Sequence, residues 1–113
     1  MRFGDKFLSC FQEAQCKAPI LEYVNFIDTP GILGSSEAER PYDMTQVMKW
    51  FIEIADMVLL MFDVSKVAVS TALQTIITEA RGHDGKFRII LNKADTVSPT
   101  ELLQVYSSLL WQL

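Results

Sequence analysis

The chain has 113 residues, half of them apolar (50%), and a formal net charge of −4 at pH 7. This length allows a single domain, and this apolar content is typical of a folded α/β core and excludes a disordered tail. Acidic and basic residues are interspersed, so the chain lacks the basic stripe with which proteins neutralise nucleic-acid phosphates, and we expect no nucleic-acid partner.

The first predicted element is a helix near the N-terminus. Its apolar residues recur at the spacing of one helical face: Phe3, Phe7, Cys10, Phe11 and Ala14. The pattern ends before Pro19. Cys10 and Cys16 complete no zinc pattern, so we expect two reduced thiols in the core of a cytosolic protein.

A short strand is predicted next, over Tyr23–Ile27, because this stretch is rich in β-forming residues. It runs directly into Asp28-Thr29-Pro30-Gly31, where Pro and Gly end the strand. Small and charged residues then predict a loop up to Pro41.

A second helix is predicted from Asp43, which forms a capping-box-like pattern with Gln46. The apolar run 57–62 that follows has the composition of a strand covered on both faces in a parallel sheet, although periodicity alone also allows a buried helix. This run is far too short to cross a bilayer, and no signal-peptide apolar region precedes it. We therefore predict a cytoplasmic protein with at most a peripheral membrane role.

Three elements complete the chain. A helix is predicted from Thr71, ending at Arg81-Gly82, and a strand over Phe87–Leu91. The last helix opens at Ser98-Pro99-Thr100-Glu101, which combines an N-cap, a proline in the first turn and a capping-box glutamate.

This alternation of helices and strands predicts an α/β fold with a mainly parallel sheet. All three predicted strands end in polar residues, namely Asp28, Asp63 and Asn92. Ligands of such sheets gather beyond the carboxyl ends of the strands. For Asp63 two roles are open: it orients a site, or it caps the loop through Ser65.

Asp28-Thr29-Pro30-Gly31 matches a motif of P-loop nucleotide hydrolases. There, a carboxylate after a strand holds magnesium, usually through water, and a glycine amide approaches the terminal phosphate without interference from a Cβ. The alternative is a plain turn that closes the strand. The tetrapeptide alone does not decide between them.

Asn92-Lys93-Ala94-Asp95 follows the last predicted strand. An Asn amide can bond a purine edge, a Lys stem can lie over the base, and an Asp carboxylate can accept from the ring N–H and amino group of guanine. The alternative is a polar turn. Two motifs in this order, each placed directly after a strand, favour a nucleotide site.

From Phe3 through Trp111 the chain resembles the EHD (Eps15-homology-domain-containing) proteins and the related sarcalumenins of the dynamin superfamily. The stretches that carry the resemblance are 27–33, Tyr42-Asp43, Trp50-Phe51, Ala55-Asp56, 60–63, 91–95, Val105-Tyr106 and Leu110-Trp111. The stretch between Leu33 and Tyr42 is shorter than in that family, so the switch-like loop is its least transferable part.

The resemblance implies that residues 1–113 are a partial dynamin-type nucleotide-binding (G) domain, an incomplete three-layer domain of the P-loop type. It implies ATP or GTP with magnesium as ligand. The base stays open, because the family is known for ATP although Asn-Lys-x-Asp ordinarily signals guanine. The implied nucleotide contacts are Asp28, Gly31, Asn92, Lys93 and Asp95, with Asp28 on the magnesium side through water.

The resemblance also implies a homodimer or higher oligomer, peripheral on endosomal or plasma membranes through regions absent here, that reshapes endocytic membranes. Trp111 occupies the family's position for an interface aromatic. Packing of Trp111 in the core or at the helix end is the alternative.

No Gly-x-x-x-x-Gly-Lys-Ser/Thr sequence occurs in the chain. In the family this phosphate loop lies well upstream of Asp-Thr-Pro-Gly, and its strand lies between the strands that match Tyr23–Ile27 and 57–62. We therefore expect a sheet that lacks the phosphate-loop strand, weak or absent nucleotide binding, no catalytic residue and no hydrolysis by this chain alone. The alternatives are a noncatalytic interaction or dimerisation fragment and a truncated gene model.

Overall fold

The computed structural model describes residues 8–9, 11–31, 43–67 and 71–113. The chain divides into two compact units, Met1–Met44 and Thr45–Leu113. Each unit is considered by itself.

The described part of the first unit contains little regular structure. Leu8 and Ser9 are helical, residues 11–18 are irregular, and Pro19–Glu22 forms a 3₁₀ helix. The helix predicted over Phe3–Ala14 is therefore wrong over 11–14, where Phe11 is exposed, and most of its earlier part lies outside the described residues. An apolar face supports a short helix only when it packs against a partner.

The strand predicted over Tyr23–Ile27 is also wrong. Tyr23 follows the 3₁₀ helix and its N–H donates to the carbonyl of Ile20, while residues 24–31 have no regular structure. Tyr23 is 86% exposed. β-forming residues make a strand only where a neighbouring strand pairs with them. The core position expected for Cys16 is wrong as well, because this thiol is exposed, and Cys10 lies outside the described residues.

Helices and strands alternate from Met44 onwards. They are α1 (Met44–Ile54), β1 (Val58–Asp63), α2 (Thr71–Glu79), β2 (Phe87–Asn92) and α3 (Pro99–Gln112). Short 3₁₀ helices at Asp84–Lys86 and Ala94–Thr96 flank β2. The predicted elements of this half of the chain are thus confirmed to within a few residues at their ends.

β1 and β2 pair in parallel, in a register that runs from Val58 beside Phe87 to Asp63 beside Asn92. This confirms the α/β class and the parallel sheet. Side chains two residues apart share a face of a strand. On one face Phe62 is buried, whereas on the other Leu59 and Met61 are 48% and 59% exposed. The prediction that this strand is covered on both faces is therefore wrong for the described residues.

The core of the second unit is formed by apolar side chains from its helices and from the end of β1. They are Val47, Met48, Ile52, Phe62, Val64, Leu73, Ile76, Ala80 and Leu109. On the surface, Lys49 Nζ lies 3.2 Å from Glu79 Oε2 and links α1 to α2. Both side chains are exposed, so this ion pair adds little stability.

Two of the predicted helix-end signals are present in the structure, one after α2 and one at the start of α3. Gly82 follows α2 with a φ of 96°, a left-handed conformation that glycine adopts without a Cβ clash. At α3 the capping box is complete: the Glu101 N–H donates to Ser98 Oγ at 3.3 Å, and the Ser98 N–H donates to Glu101 Oε2 at 2.8 Å.

The capping box also changes the acidity of its glutamate. The Ser98 backbone N–H, and then the Ser98 side chain, lower the pKa of Glu101 below its usual 4.5. A lowered folded-state pKa means that this stabilisation is present above the usual pKa and is lost as the pH falls through the lowered one.

Across the part of the chain that the structure describes, no helix combines the length and apolar character that a membrane crossing requires.

Candidate functional site

The candidate site lies at the carboxyl ends of β1 and β2, where parallel sheets present their loops to ligands. Asp63 and Asn92 are partners at the end of the ladder. The Val64 N–H donates to the Asn92 carbonyl at 3.2 Å, so the pairing continues one residue past β1. The two polar strand ends that the sequence indicated are therefore neighbours.

Asp63 uses both of its carboxylate oxygens. Oδ1 accepts from the Ser65 N–H at 3.0 Å and from Ser65 Oγ at 2.6 Å. Oδ2 accepts from Lys93 Nζ at 2.7 Å. The loop-capping role considered for Asp63 is confirmed, and the same carboxylate holds the motif lysine.

These contacts keep Asp63 ionised. The hydrogen bond from the Lys93 ammonium, followed by those from Ser65, holds the pKa of Asp63 far below its usual 3.8. The carboxylate of Asp63 therefore stays charged throughout the neutral and mildly acidic range.

Lys93 has an unusual backbone. Its φ of 61° and ψ of 32° are left-handed, and it is the one non-glycine residue with positive φ in the described ranges. The left-handed conformation costs an L-residue roughly 1–2 kcal/mol. The turn that follows is closed by Thr96, whose N–H and Oγ1 donate to the Lys93 carbonyl at 3.0 and 2.6 Å.

The structure places Asn92 at the end of β2, and Lys93 and Asp95 on the loop that leaves it. All three are exposed, so their polar groups can reach a ligand from solvent. Ala94–Thr96 is a single 3₁₀ turn, which explains how the loop keeps Asp95 close to the strand end. The polar-turn alternative is consistent with this backbone, and the contacts of Asn92, Lys93 and Asp95 with a nucleotide stay predictions.

Asp28 and Gly31 belong to the first unit, where both are exposed in an irregular stretch. A carboxylate oxygen suits magnesium, which proteins commonly hold with one or two carboxylates while phosphates and water complete its shell. The donor type of Asp28 therefore fits an indirect magnesium contact. Among residues 8–9, 11–31, 43–67 and 71–113, no three His, Cys, Asp or Glu side chains form a metal-binding group of their own. The contacts of Asp28 and Gly31 with a nucleotide stay predictions.

Two features of the site were missed from the sequence. One is the Asp63 to Lys93 ion pair, and the other is the left-handed backbone at Lys93. The available signal for the pair was the polar residue at the end of each strand. It pointed to a contact only once β1 and β2 were known to be adjacent and in register.

Trp111 lies in the last turn of α3 and is 94% exposed. Packing in the core is therefore wrong for this residue, and its role at an interface stays a prediction. The pattern of α3 alone could not settle this, since the helix carries apolar residues on more than one side.

Comparison with known proteins places the chain in a family. The model of the dynamin family matches residues 5–94. EH domain-containing protein 1 of Arabidopsis thaliana is 45% identical over 98% of this chain, and EH domain-containing protein 2 of Homo sapiens is 42% identical over 98%. The chain spans 21% of the length of each of these relatives. The resemblance to EHD proteins is thus confirmed, and the chain belongs to the dynamin family.

Proposed function

We propose that this chain is the part of a dynamin-type nucleotide-binding domain that carries the base-recognition loop. Its parent protein hydrolyses ATP or GTP with magnesium and uses that reaction to remodel endocytic membranes. The observation that carries the proposal is the exposed Asn92-Lys93-x-Asp95 loop at the carboxyl end of a parallel sheet. Membership of the dynamin family supports it.

Each group in the loop has a role that matches its chemistry. The Asn92 amide can donate to and accept from the edge of a purine, and the Lys93 methylenes offer an apolar surface to its face. The Asp95 carboxylate can accept two hydrogen bonds from guanine. In the first unit, Asp28 contacts magnesium through water, and the Gly31 amide contacts the phosphates.

This chain alone is expected to bind nucleotide weakly and to show no measurable turnover. Hydrolysis requires phosphate, magnesium and water to be held together, and the 113 residues contain no phosphate-loop sequence. Activity therefore belongs to the longer parent.

Nucleotide should stabilise the purified chain against heat. At a concentration several times the Kd, MgATP or MgGTP contributes about 1 kcal/mol, which raises the Tm of a chain of this size by a few degrees. Lys93→Ala should remove this shift, because it removes both the ammonium and the stem. His83→Ala is the control, since His83 lies before β2 at the opposite end of the sheet. The absence of any shift with both nucleotides would overturn the proposed function.

The same thermal-shift measurement, made over a range of nucleotide concentrations, tests whether the chain recognises guanine or adenine. Asp95→Asn should weaken MgGTP binding by about tenfold or more, because guanine loses hydrogen bonds to a charged acceptor. MgATP binding should change less, since adenine lacks the ring N–H that in guanine donates a hydrogen bond to the carboxylate. A larger loss for ATP than for GTP would contradict guanine recognition by Asp95.

A second function, association through α3, is favoured by the exposure of its apolar residues. Leu103, Tyr106 and Leu110 recur at helical spacing on one face, and all three are exposed together with Trp111. Exposed aromatic and aliphatic clusters of this kind mark protein interfaces. The occupant we propose is a second copy of the chain, as the EHD resemblance implies.

Sedimentation equilibrium should detect this association. We expect Trp111→Ala to weaken self-association by about tenfold or more, as loss of a buried interface tryptophan usually does. Gln104→Ala, on the same helix and also exposed, should leave it unchanged. Equal association by both variants would exclude Trp111 from the interface.

A further inference from the structure

The loops after β1 and β2 are each closed by their own hydrogen bonds. After β1, Ser65 donates twice to Asp63 Oδ1, and the Lys66 N–H donates to the Asp63 carbonyl at 3.0 Å. After β2, Thr96 donates twice to the Lys93 carbonyl. Neither turn needs the ion pair between Asp63 and Lys93. We therefore assign the pair a different effect: it fixes the position of the Lys93 side chain.

The lysine is fixed at both of its ends. Its backbone is held left-handed by the Thr96 turn, and its Nζ is held by Asp63 Oδ2 at 2.7 Å. Neighbouring strands lie about 4.8 Å apart, so the stem between these two points crosses from the end of β2 to the end of β1. The Lys93 side chain is 58% exposed, so its methylenes remain open to a ligand.

The left-handed backbone supports a role for this particular side chain. Glycine adopts such a conformation without the steric cost that lysine incurs. Backbone strain of this kind concentrates at functional sites. Here the strain is tied to a side chain whose ammonium is already engaged with Asp63, which links the two observations.

We propose that Asp63 is a positioning residue for nucleotide binding, which holds the Lys93 ammonium at the end of β1 so that the lysine stem spans the carboxyl end of the sheet before a purine arrives. The inference rests on the proposed function, because it deepens the role of the Asn92-Lys93-x-Asp95 loop. A free lysine has many rotamers to lose on binding, and a lysine that is already tethered loses fewer.

Simple electrostatics makes the opposite prediction, which allows a sharp test. Asp63 is a negative charge beside the proposed site of a polyanion, so its removal alone should strengthen nucleotide binding. It would also free the Lys93 ammonium to approach a phosphate. A carboxylate with no positioning role would therefore oppose binding, whereas a positioning carboxylate favours it.

The test is an NMR chemical-shift titration of the chain with MgATP and with MgGTP. For Asp63→Asn we expect the Kd of the preferred nucleotide to rise about two- to fivefold, the upper part of the range set by an exposed ion pair. Asp63→Glu keeps the charge and should recover most of the affinity. Ser65→Ala removes one hydrogen bond to Asp63 Oδ1, leaves Lys93 intact and should cause a smaller loss in the same direction.

Asp56→Asn is the charge-matched control. Asp56 is exposed and precedes β1, at the opposite end of the strand from Asp63. The substitution removes the same charge from the chain, so the Kd of Asp56→Asn for the nucleotide should stay the same or fall slightly. This separates the local effect of Asp63 from a change in net charge.

The outcomes distinguish the two proposals. If the wild-type chain binds neither nucleotide, the proposed function fails and the positioning role fails with it. If the wild type binds and Asp63→Asn binds equally well or more tightly, the positioning role alone is overturned. Weaker binding by Asp63→Asn, with recovery in Asp63→Glu, supports it.

Discussion

Replacement of Leu109 by alanine is expected to lower the free energy of unfolding by about 3 kcal/mol. Leu109 is 2% exposed and is the largest fully buried side chain among the described residues. Its truncation removes buried methyl groups and leaves a cavity that the surrounding residues can fill only in part. Urea unfolding of the purified chain, followed by far-ultraviolet circular dichroism, measures the change.

The neighbouring residue provides a matched control. Leu110 lies on the same helix, undergoes the same substitution and is 55% exposed. At a chain concentration below the Kd of self-association, Leu110→Ala should change the unfolding free energy by no more than about 0.5 kcal/mol. Helix propensity affects both variants equally, so the difference between them reports burial. Equal effects would mean that Leu109 does not lie in the core of the folded chain.

The elements that the sequence predicted well are those with local causes. The capping box at Ser98 and Glu101 satisfies orphan N–H groups within one turn of helix, so it forms as its pattern indicates. The glycine after α2 acts over a similarly short distance. The apolar run that became β1 needed only one neighbour, β2, which the same chain supplies.

The predictions that failed depended on partners at a distance. Tyr23–Ile27 has the composition of a strand, but composition does not provide the neighbouring strand with which its backbone must pair. Leu59 and Met61 are apolar, as residues covered by a second layer of helices usually are. Both are exposed here. A covering layer is a property of the whole domain, and this chain corresponds to 21% of its relatives' length.

The candidate site shows the same division. Asn92, Lys93 and Asp95 were predicted as site residues because the motif follows a strand. The structure adds that all three are exposed where β2 ends and its loop begins. The contact between Lys93 and Asp63 could not be predicted, since it joins positions 30 residues apart and depends on strand register. Local patterns therefore identified the loop, and the tertiary structure identified what holds its lysine.

Lys86 provides the second large effect, through a contact that links the 3₁₀ helix before β2 to α1. Its Nζ donates to the carbonyls of Ile52 and Glu53, at 3.0 Å each, in the last turn of α1. Carbonyls at the end of a helix lack partners within the helix, and the helix dipole favours a cation there. Lys86→Met keeps most of the apolar stem but removes the ammonium. We expect the free energy of unfolding to fall by about 1.5 kcal/mol.

Urea unfolding again measures this change, and two further variants test its cause. Lys86→Arg retains a cation that can donate to the same carbonyls, so it should recover at least half of the loss. Lys66→Met removes an exposed lysine elsewhere in the second unit and should have an effect below about 0.5 kcal/mol. High salt should reduce the loss in Lys86→Met, because mobile ions screen the interaction between the ammonium and the helix end. A loss in Lys86→Met no greater than that in Lys66→Met would show that α1 does not depend on this cation.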